Sequence, residues 1–189
     1  LRLVGSEMCI RDRIRRYDMK SIVIYSSLTG NTKQVAEAIT SVLPVGTPCV
    51  SMKELPIDLS SYDLVFAGFW VDKGTANKEA RDVLGTLHNA YIALFATAGV
   101  PPQMAHAKES LINAANCLPD GVDPVGTFIC QGKVDPKVIE MMYKMFPKGH
   151  SHGQSADRDA RHKQAAVHPN EEDFKAAQDF AKDILIKLS

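Results

Sequence analysis

The sequence predicts a three-layer α/β domain, a doubly wound five-stranded parallel sheet covered by helices on both faces. Three observations carry that expectation. Continuous apolar runs such as Leu64-Val65-Phe66-Ala67-Gly68-Phe69 and Tyr91-Ile92-Ala93-Leu94-Phe95-Ala96 read as strands covered on both faces. Helical periodicity recurs between such runs, and that alternation implies right-handed crossovers and parallel pairing. The chain has 189 residues, 45% hydrophobic and 23% charged, which suits one domain with a sizeable core.

The elements follow in order. Residues 20–25 read as a buried strand, and residues 30–42 as a helix with Val35, Ala38, Ile39 and Val42 on one face. Residues 48–52 make a short second strand and residues 64–69 a third. Residues 75–88 are helical in pattern, with Ala76, Ala80, Val83, Leu84 and Leu87 recurring at spacings of three and four. Residues 91–96 form the fourth strand, residues 103–117 a helix, and Val125 to Cys130 the last strand. Residues 134–146 are expected to be helical with a methionine-rich face, and residues 148–170 an irregular loop containing His and Asp. Residues 171–188 form a C-terminal helix with Asn170 as its cap and a stripe of Phe174, Ala177, Phe180, Ala181, Ile184, Leu185 and Leu188.

Composition narrows the function. Residues 1–18 hold five arginines and no lysine, and are expected to be a non-native or disordered leader. Met19 is then the expected start of a domain over 19–189, which carries 17 Lys and Arg against 19 Asp and Glu. A formal net charge of zero for the whole chain argues against electrostatic binding of nucleic acid. No apolar run approaches the roughly 20 residues that span a bilayer. Cys9, Cys49, Cys117 and Cys130 show no CxxC or zinc spacing and read as reduced thiols of a cytoplasmic protein.

The most informative motif is Ser27-Leu28-Thr29-Gly30-Asn31-Thr32, between the first strand and the first helix. A helix start offers unpaired backbone N–H groups and partial positive charge, the combination that holds a phosphate. Ser27, Thr29 and Thr32 add hydroxyl donors, and Asn31 an amide donor. The plainer alternative is a polar strand–helix turn with a capping threonine.

In its strand–helix setting, this hexapeptide resembles that of the flavodoxin-like family. The resemblance covers residues 19 to about 131 and implies the strand order 2-1-3-4-5 with FMN at the switch point. Ligands of open α/β sheets sit there, at the carboxyl ends of the strands. It further implies that the flavin ring lies between the loops after the third and fourth strands. Those positions are Phe69-Trp70-Val71-Asp72-Lys73-Gly74-Thr75 and Thr97-Ala98-Gly99-Val100-Pro101-Pro102. Trp70, the only tryptophan, either stacks on the ring or packs the strand end. Gly74 and Gly99 allow close backbone approach. A glycine also lowers the cost of a peptide flip near flavin N5, which would favour one redox state. Lys73 either stabilises the reduced anionic flavin or is a solvated surface lysine. Gln131, at the carboxyl end of the last strand, is a candidate for bonding the flavin pyrimidine or a substrate carbonyl.

Two departures from the family pattern bear on function. Flavodoxin shuttles are usually strongly acidic, and this chain is not. Val100-Pro101-Pro102 stands where the usual tyrosine stacks on the outer ring face, which leaves that face open. Residues 69–76, 130–133 and the tail 145–169 resemble one bacterial subgroup, some members of which accompany a flavin-dependent reductase of the bile pigment bilirubin. The resemblance implies, without showing, an accessory electron-delivery role, with a flavin reductase or ferredoxin-type donor and an acceptor enzyme as partners. The alternatives are an FMN-dependent oxidoreductase that reduces a quinone or other planar acceptor directly, and a flavin-free binding module. Cys130 reads as a buried cysteine rather than a redox thiol. His150, His152, His162 and His168 match no metal motif and read as part of a solvated loop or a flap over an anionic cofactor.

Overall fold

The structure, a computed structural model, describes residues 19–55, 58–150 and 153–189. The expected leader 1–18 and His152 lie outside the described residues. Strands β1 (Ser21–Tyr25), β2 (Cys49–Ser51), β3 (Leu64–Asp72), β5 (Tyr91–Ala98) and β6 (Gly126–Gln131) pair in parallel in the order β2-β1-β3-β5-β6. A two-residue strand, β4 (Thr75–Ala76), pairs antiparallel with the end of β3. Without β4 the order is the expected 2-1-3-4-5.

Period-two alternation along each strand splits the core between the two sheet faces. Ile22, Ile24, Val65, Ala67, Phe69, Ile92, Leu94 and Ala96 pack with Ala80 and Leu84 of α2 (Lys78–Leu84) and Ala114 of α3 (Ala105–Ala115). Val23, Leu64, Phe66, Ala93 and Phe95 pack on the other side. There they meet Val35, Ala36 and Ile39 of α1 (Asn31–Thr40) and Ala177, Ala181 and Ile184 of α6 (Glu171–Lys187). Phe66 and Phe95 are wholly buried, each worth about 1.5–3 kcal/mol relative to exposure. Gly68 makes room for Phe95, because a Cβ there would overlap the Phe95 ring.

The C-terminal helix is capped as its sequence predicts. Asn170 Oδ1 accepts from the N–H groups of Glu172 (3.0 Å) and Asp173 (3.3 Å), and Asp173 Oδ2 accepts from Asn170 N–H (2.8 Å).

Three stretches depart from the sequence expectation. β3 runs on to Asp72, and residues 75–88 are not one helix: β4 comes first and α2 begins only at Lys78. The cause is a two-residue turn in which Lys73 (φ 50°) and Gly74 (φ 77°) are both left-handed, the geometry that matches hairpin twist. Residues 134–146 do form a helix, α4 (Pro136–Met145), capped by Asp135. The expected loop 148–170, however, contains a further helix, α5 (Ala156–Ala165). Ser155 caps it, acids sit in its first turn and His162 and Lys163 in its last, so end effects favour a helix whose sequence shows only alanines as apolar residues.

Candidate functional site

The site lies at the carboxyl edge of the sheet, where four connections meet. The first is the turn from β1 into α1. Gly30 caps α1 in the left-handed conformation (φ 89°), and no side chain caps the helix or places an acid in its first turn. Gly30 N–H donates to Ser27 Oγ at 3.1 Å, which leaves the Ser27 O–H free to donate elsewhere. Leu28 and Thr29 are exposed at the turn's tip.

The other expected donors of this turn are tied to its neighbours. Asn31 Nδ2 donates to Lys133 C=O at 2.8 Å, which fixes the chain just beyond β6. The Thr32 hydroxyl is buried and lies 2.9 Å from the Thr97 hydroxyl at the end of β5. One O–H of that pair bonds the other oxygen, and one remains to donate.

The second connection is the β3–β4 hairpin. Trp70 is partly buried, sits in register with Thr97, and its C=O accepts from Asn77 N–H at 3.2 Å. Val71 pairs with Ala76, and Asn113 of α3 donates to Gly74 C=O at 2.8 Å, which holds the hairpin against that helix. The Phe69 side chain, expected at the cofactor, is wholly buried in the core, which leaves only its backbone at this edge. Periodicity explains this, because Phe69 shares a sheet face with Val65 and Ala67.

The third and fourth connections lean on each other. Thr97 and Ala98 are buried, and Val134 packs where a Gly99 side chain would sit. The buried Gln131 donates from Nε2 to Gly99 C=O at 3.4 Å, so its amide braces the loop after β5. Gly132 leaves room for the Asn31 side chain.

A polar network that sequence reasoning missed underlies this edge. The buried Ser26 hydroxyl donates to a carboxylate oxygen of Glu79 and accepts from Asn77 Nδ2 at 2.8 Å. Asn77 is buried, and its Oδ1 has no partner among the described residues. No local pattern reveals the trio, since Asn77 and Glu79 read as parts of a longer helix.

Cys130 is buried, and burial pushes its thiol well above the usual range, so no thiolate is available there. The histidines of 148–170 disperse. His150 stacks on Phe146, His168 Nδ1 bonds Asp173, and the ring nitrogens of His162 are buried beside Tyr143. Among the described residues no three His, Cys, Asp or Glu side chains group as metal ligands.

The donor set fits a phosphate-bearing flavin nucleotide. The uncapped start of α1, the Ser27 and Thr29 hydroxyls and the Gly30 turn suit a dianion. Trp70 and the loop from Thr97 offer flanks to a flat ring, and Asn77 Oδ1 is a buried acceptor lacking a donor among the described residues.

Comparisons agree with this fold. The flavodoxin domain family matches residues 22–182. A flavodoxin-like domain-containing protein BilS of Clostridioides difficile (strain CD3) is 36% identical over 178 residues, covering 90% of this chain and 99% of that protein. BilS of Clostridium symbiosum (strain WAL-14163) is 34% identical over 179 residues, covering 86% and 94% respectively. Among solved structures, the flavodoxin of Streptococcus pneumonia TIGR4 superposes with a TM-score of 0.52 at 14% identity, over 88% of this chain and 98% of that one. The chain belongs to the flavodoxin domain family, and the cofactor that its site fits is FMN.

Proposed function

We propose that this protein is an FMN-binding electron carrier that passes electrons to a partner redox enzyme. The observation that carries this reading is the uncapped start of α1, bonded through Thr32 and Asn31 to the ends of β5 and β6. A group gripped there by its phosphate has the Trp70 hairpin and the Thr97 loop on either side. FMN, when bound, supplies the one- and two-electron chemistry. The chain's own residues bind, orient and shield: first-turn amides with Ser27 and Thr29 hold the phosphate, and Trp70, Val71, Gly74, Ala98 and Gly99 line the ring. Asn31, Thr32 and Gln131 brace the loops that do so. No acid or base is needed for this role.

The acceptor on this reading is a flavin-dependent reductase of a tetrapyrrole such as bilirubin, supported by the likeness to the BilS proteins and to the subgroup that accompanies such a reductase. The donor is a flavin reductase or a ferredoxin-type protein. A cytoplasmic setting is supported by the free thiols of Cys49, Cys117 and Cys130. Among the described residues, no helix is long and apolar enough to cross a membrane.

The test is the visible spectrum of the purified protein during stepwise reduction. A yellow protein reduced by NAD(P)H only when a flavin reductase is added supports the carrier. Direct oxidation of NAD(P)H by the protein alone supports the second reading, an enzyme reducing a quinone or similar planar acceptor. That reading draws on Val100-Pro101-Pro102, which offers no aromatic ring to cover the flavin. A colourless protein that takes up no FMN overturns both.

A further inference from the structure

The electron-carrier reading leaves unassigned the segment between β6 and α6, and this inference rests on that reading. Its helix α4 is amphipathic yet has no buried residue. Val138, Met141, Met142 and Met145 recur at three- and four-residue spacing, one stripe of the helix. Met141 is 53% exposed and Met145 64% exposed. Val138 and Met142 are half-buried, so Met141 and Met145 are the part of the stripe left open, where an amphipathic helix is ordinarily covered.

Charge separates along the same boundary. Residues 133–168 carry seven Lys and Arg against four Asp and Glu, whereas the rest of 19–189 carries ten against fifteen. Lys137, Lys148 and Lys163 are exposed and make no ion pair among the described residues, while Lys144 is paired with Glu140 at 2.6 Å. The chain as a whole is near neutral, so this is a local excess of positive charge on a weakly acidic body.

The segment is anchored beside the candidate FMN site. Lys133 C=O accepts from Asn31 at the start of α1, Lys133 N–H donates to His168 C=O at 2.9 Å, and Val134 packs on Gly99. Both ends of the segment therefore close at the edge where electrons enter and leave.

We propose that residues 133–168 form a docking surface for an acidic redox protein, with the methionine stripe of α4 as the apolar centre and the lysines around it as the steering rim. Methionine is suited to that centre because its flexible thioether repacks against a partner. Lysines at a rim govern the rate of encounter and its salt dependence more than the final affinity. Such a partner is an electron donor or acceptor whose own docking face carries carboxylates.

Stopped-flow reduction of the FMN-loaded protein by a reduced, acidic [2Fe–2S] ferredoxin tests this. One electron leaves the cluster and enters the flavin in each encounter. The rate is expected to fall about tenfold between low salt and about 0.15 M salt, as screening removes the steering field. The triple variant Lys137→Glu, Lys148→Glu, Lys163→Glu is expected to lose about tenfold at low salt and to flatten that dependence. Met141→Ser with Met145→Ser is expected to slow transfer at every salt concentration while keeping the slope. FMN affinity and the visible spectrum stay unchanged in both. Wild-type rates in the triple variant, or no transfer from the ferredoxin at all, overturn the proposal while leaving a yellow protein. So does weakened FMN binding in the triple variant, which would make the segment a flap over the phosphate. Binding to phosphatidylserine vesicles with an unaltered ferredoxin rate also overturns it, in favour of a membrane surface. Failure to take up FMN overturns the carrier reading itself.

Discussion

The Thr32 hydroxyl lies 2.9 Å from the Thr97 hydroxyl, and this buried pair joins the start of α1 to the end of β5. Removing one partner leaves the other unsatisfied, at a cost of about 1–3 kcal/mol. Thr97→Val and Thr32→Val are each expected to lower apoprotein stability by that amount in urea unfolding. The double variant removes both polar groups and is expected to lose less than the sum of the singles. Strict additivity would show that the two side chains do not depend on each other.

Gly30 and Thr29 separate backbone shape from hydrogen bonding. Gly30 is left-handed at φ 89°, and an added Cβ would meet nothing nearer than Gln34 Nε2 at 3.9 Å. The cost of Gly30→Ala is therefore backbone strain alone, about 1–2 kcal/mol. The free turn can relax that strain and bound FMN restores it, so affinity is expected to fall about tenfold in a flavin fluorescence titration. Thr29 is exposed, so Thr29→Ala is expected to leave apoprotein stability unchanged. Its affinity loss should reflect one charge-assisted bond of about 1.5–3 kcal/mol. Equal affinity in the Thr29 variant would remove that hydroxyl from the phosphate site.

The β1–α1 turn is legible in sequence because the residues that shape its backbone lie within six consecutive positions, whereas its ties to Lys133 and Thr97 come only with the fold. The parallel sheet is legible because strands buried on both faces cannot alternate, and their apolar runs stand out. The β3–β4 hairpin is hidden because Asp72, Lys73 and Thr75 break the apolar run, and its turn rests on a lysine at φ 50° that no pattern flags. Helix α5 is hidden because its stability comes from its ends rather than from an apolar stripe. Alternation turns the Phe69 side chain into the core, a direction in space that its position in the chain does not show. Ser26 lies more than fifty residues from Asn77 and Glu79, and only the fold brings them together.

The hairpin makes its own prediction. Lys73 bears the left-handed penalty that asparagine largely avoids, so Lys73→Asn is expected to raise stability by about 0.5–1 kcal/mol. Lys73 is exposed at the hairpin tip, which favours the solvated reading of its charge. The same variant should leave the FMN midpoint potential in place. A clear fall in potential would instead put the ammonium group in the flavin's field.

His162 sets a pH dependence in the segment between β6 and α6. Burial lowers its pKa first. Arg158 lowers it further, Asp159 opposes, and Arg161 lowers it again, with Tyr143 facing it from α4. Neither ring nitrogen has a hydrogen-bond partner among the described residues. A depressed folded pKa means that the contribution is complete above the ordinary value of 6.5 and is lost as pH falls through the lower folded value. Amides of α4 and α5 are therefore expected to exchange faster with solvent at pH 5 than at pH 7 after correction for intrinsic rates, roughly the window in which histidine titrates. His162→Phe is expected to remove that difference.

The Ser26 network should respond to pH with the opposite sign once it is altered. The Ser26 hydroxyl bridges the half-buried Glu79 and the buried Asn77, so the two side chains lie close together. Asn77→Asp keeps the shape and places a second carboxylate beside the first. Two like charges there cannot both ionise cheaply, and one pKa must rise. The variant is expected to be about 1–3 kcal/mol less stable than the parent at neutral pH, from the lost amide donor and the added repulsion. As pH falls towards 5, one carboxyl takes a proton and donates to its neighbour, so the deficit should shrink. Urea midpoints measured across that range decide the matter. A deficit that stays constant would mean that Glu79 is too well solvated to sense position 77, and that the network holds the hairpin by shape rather than by its shared hydroxyl.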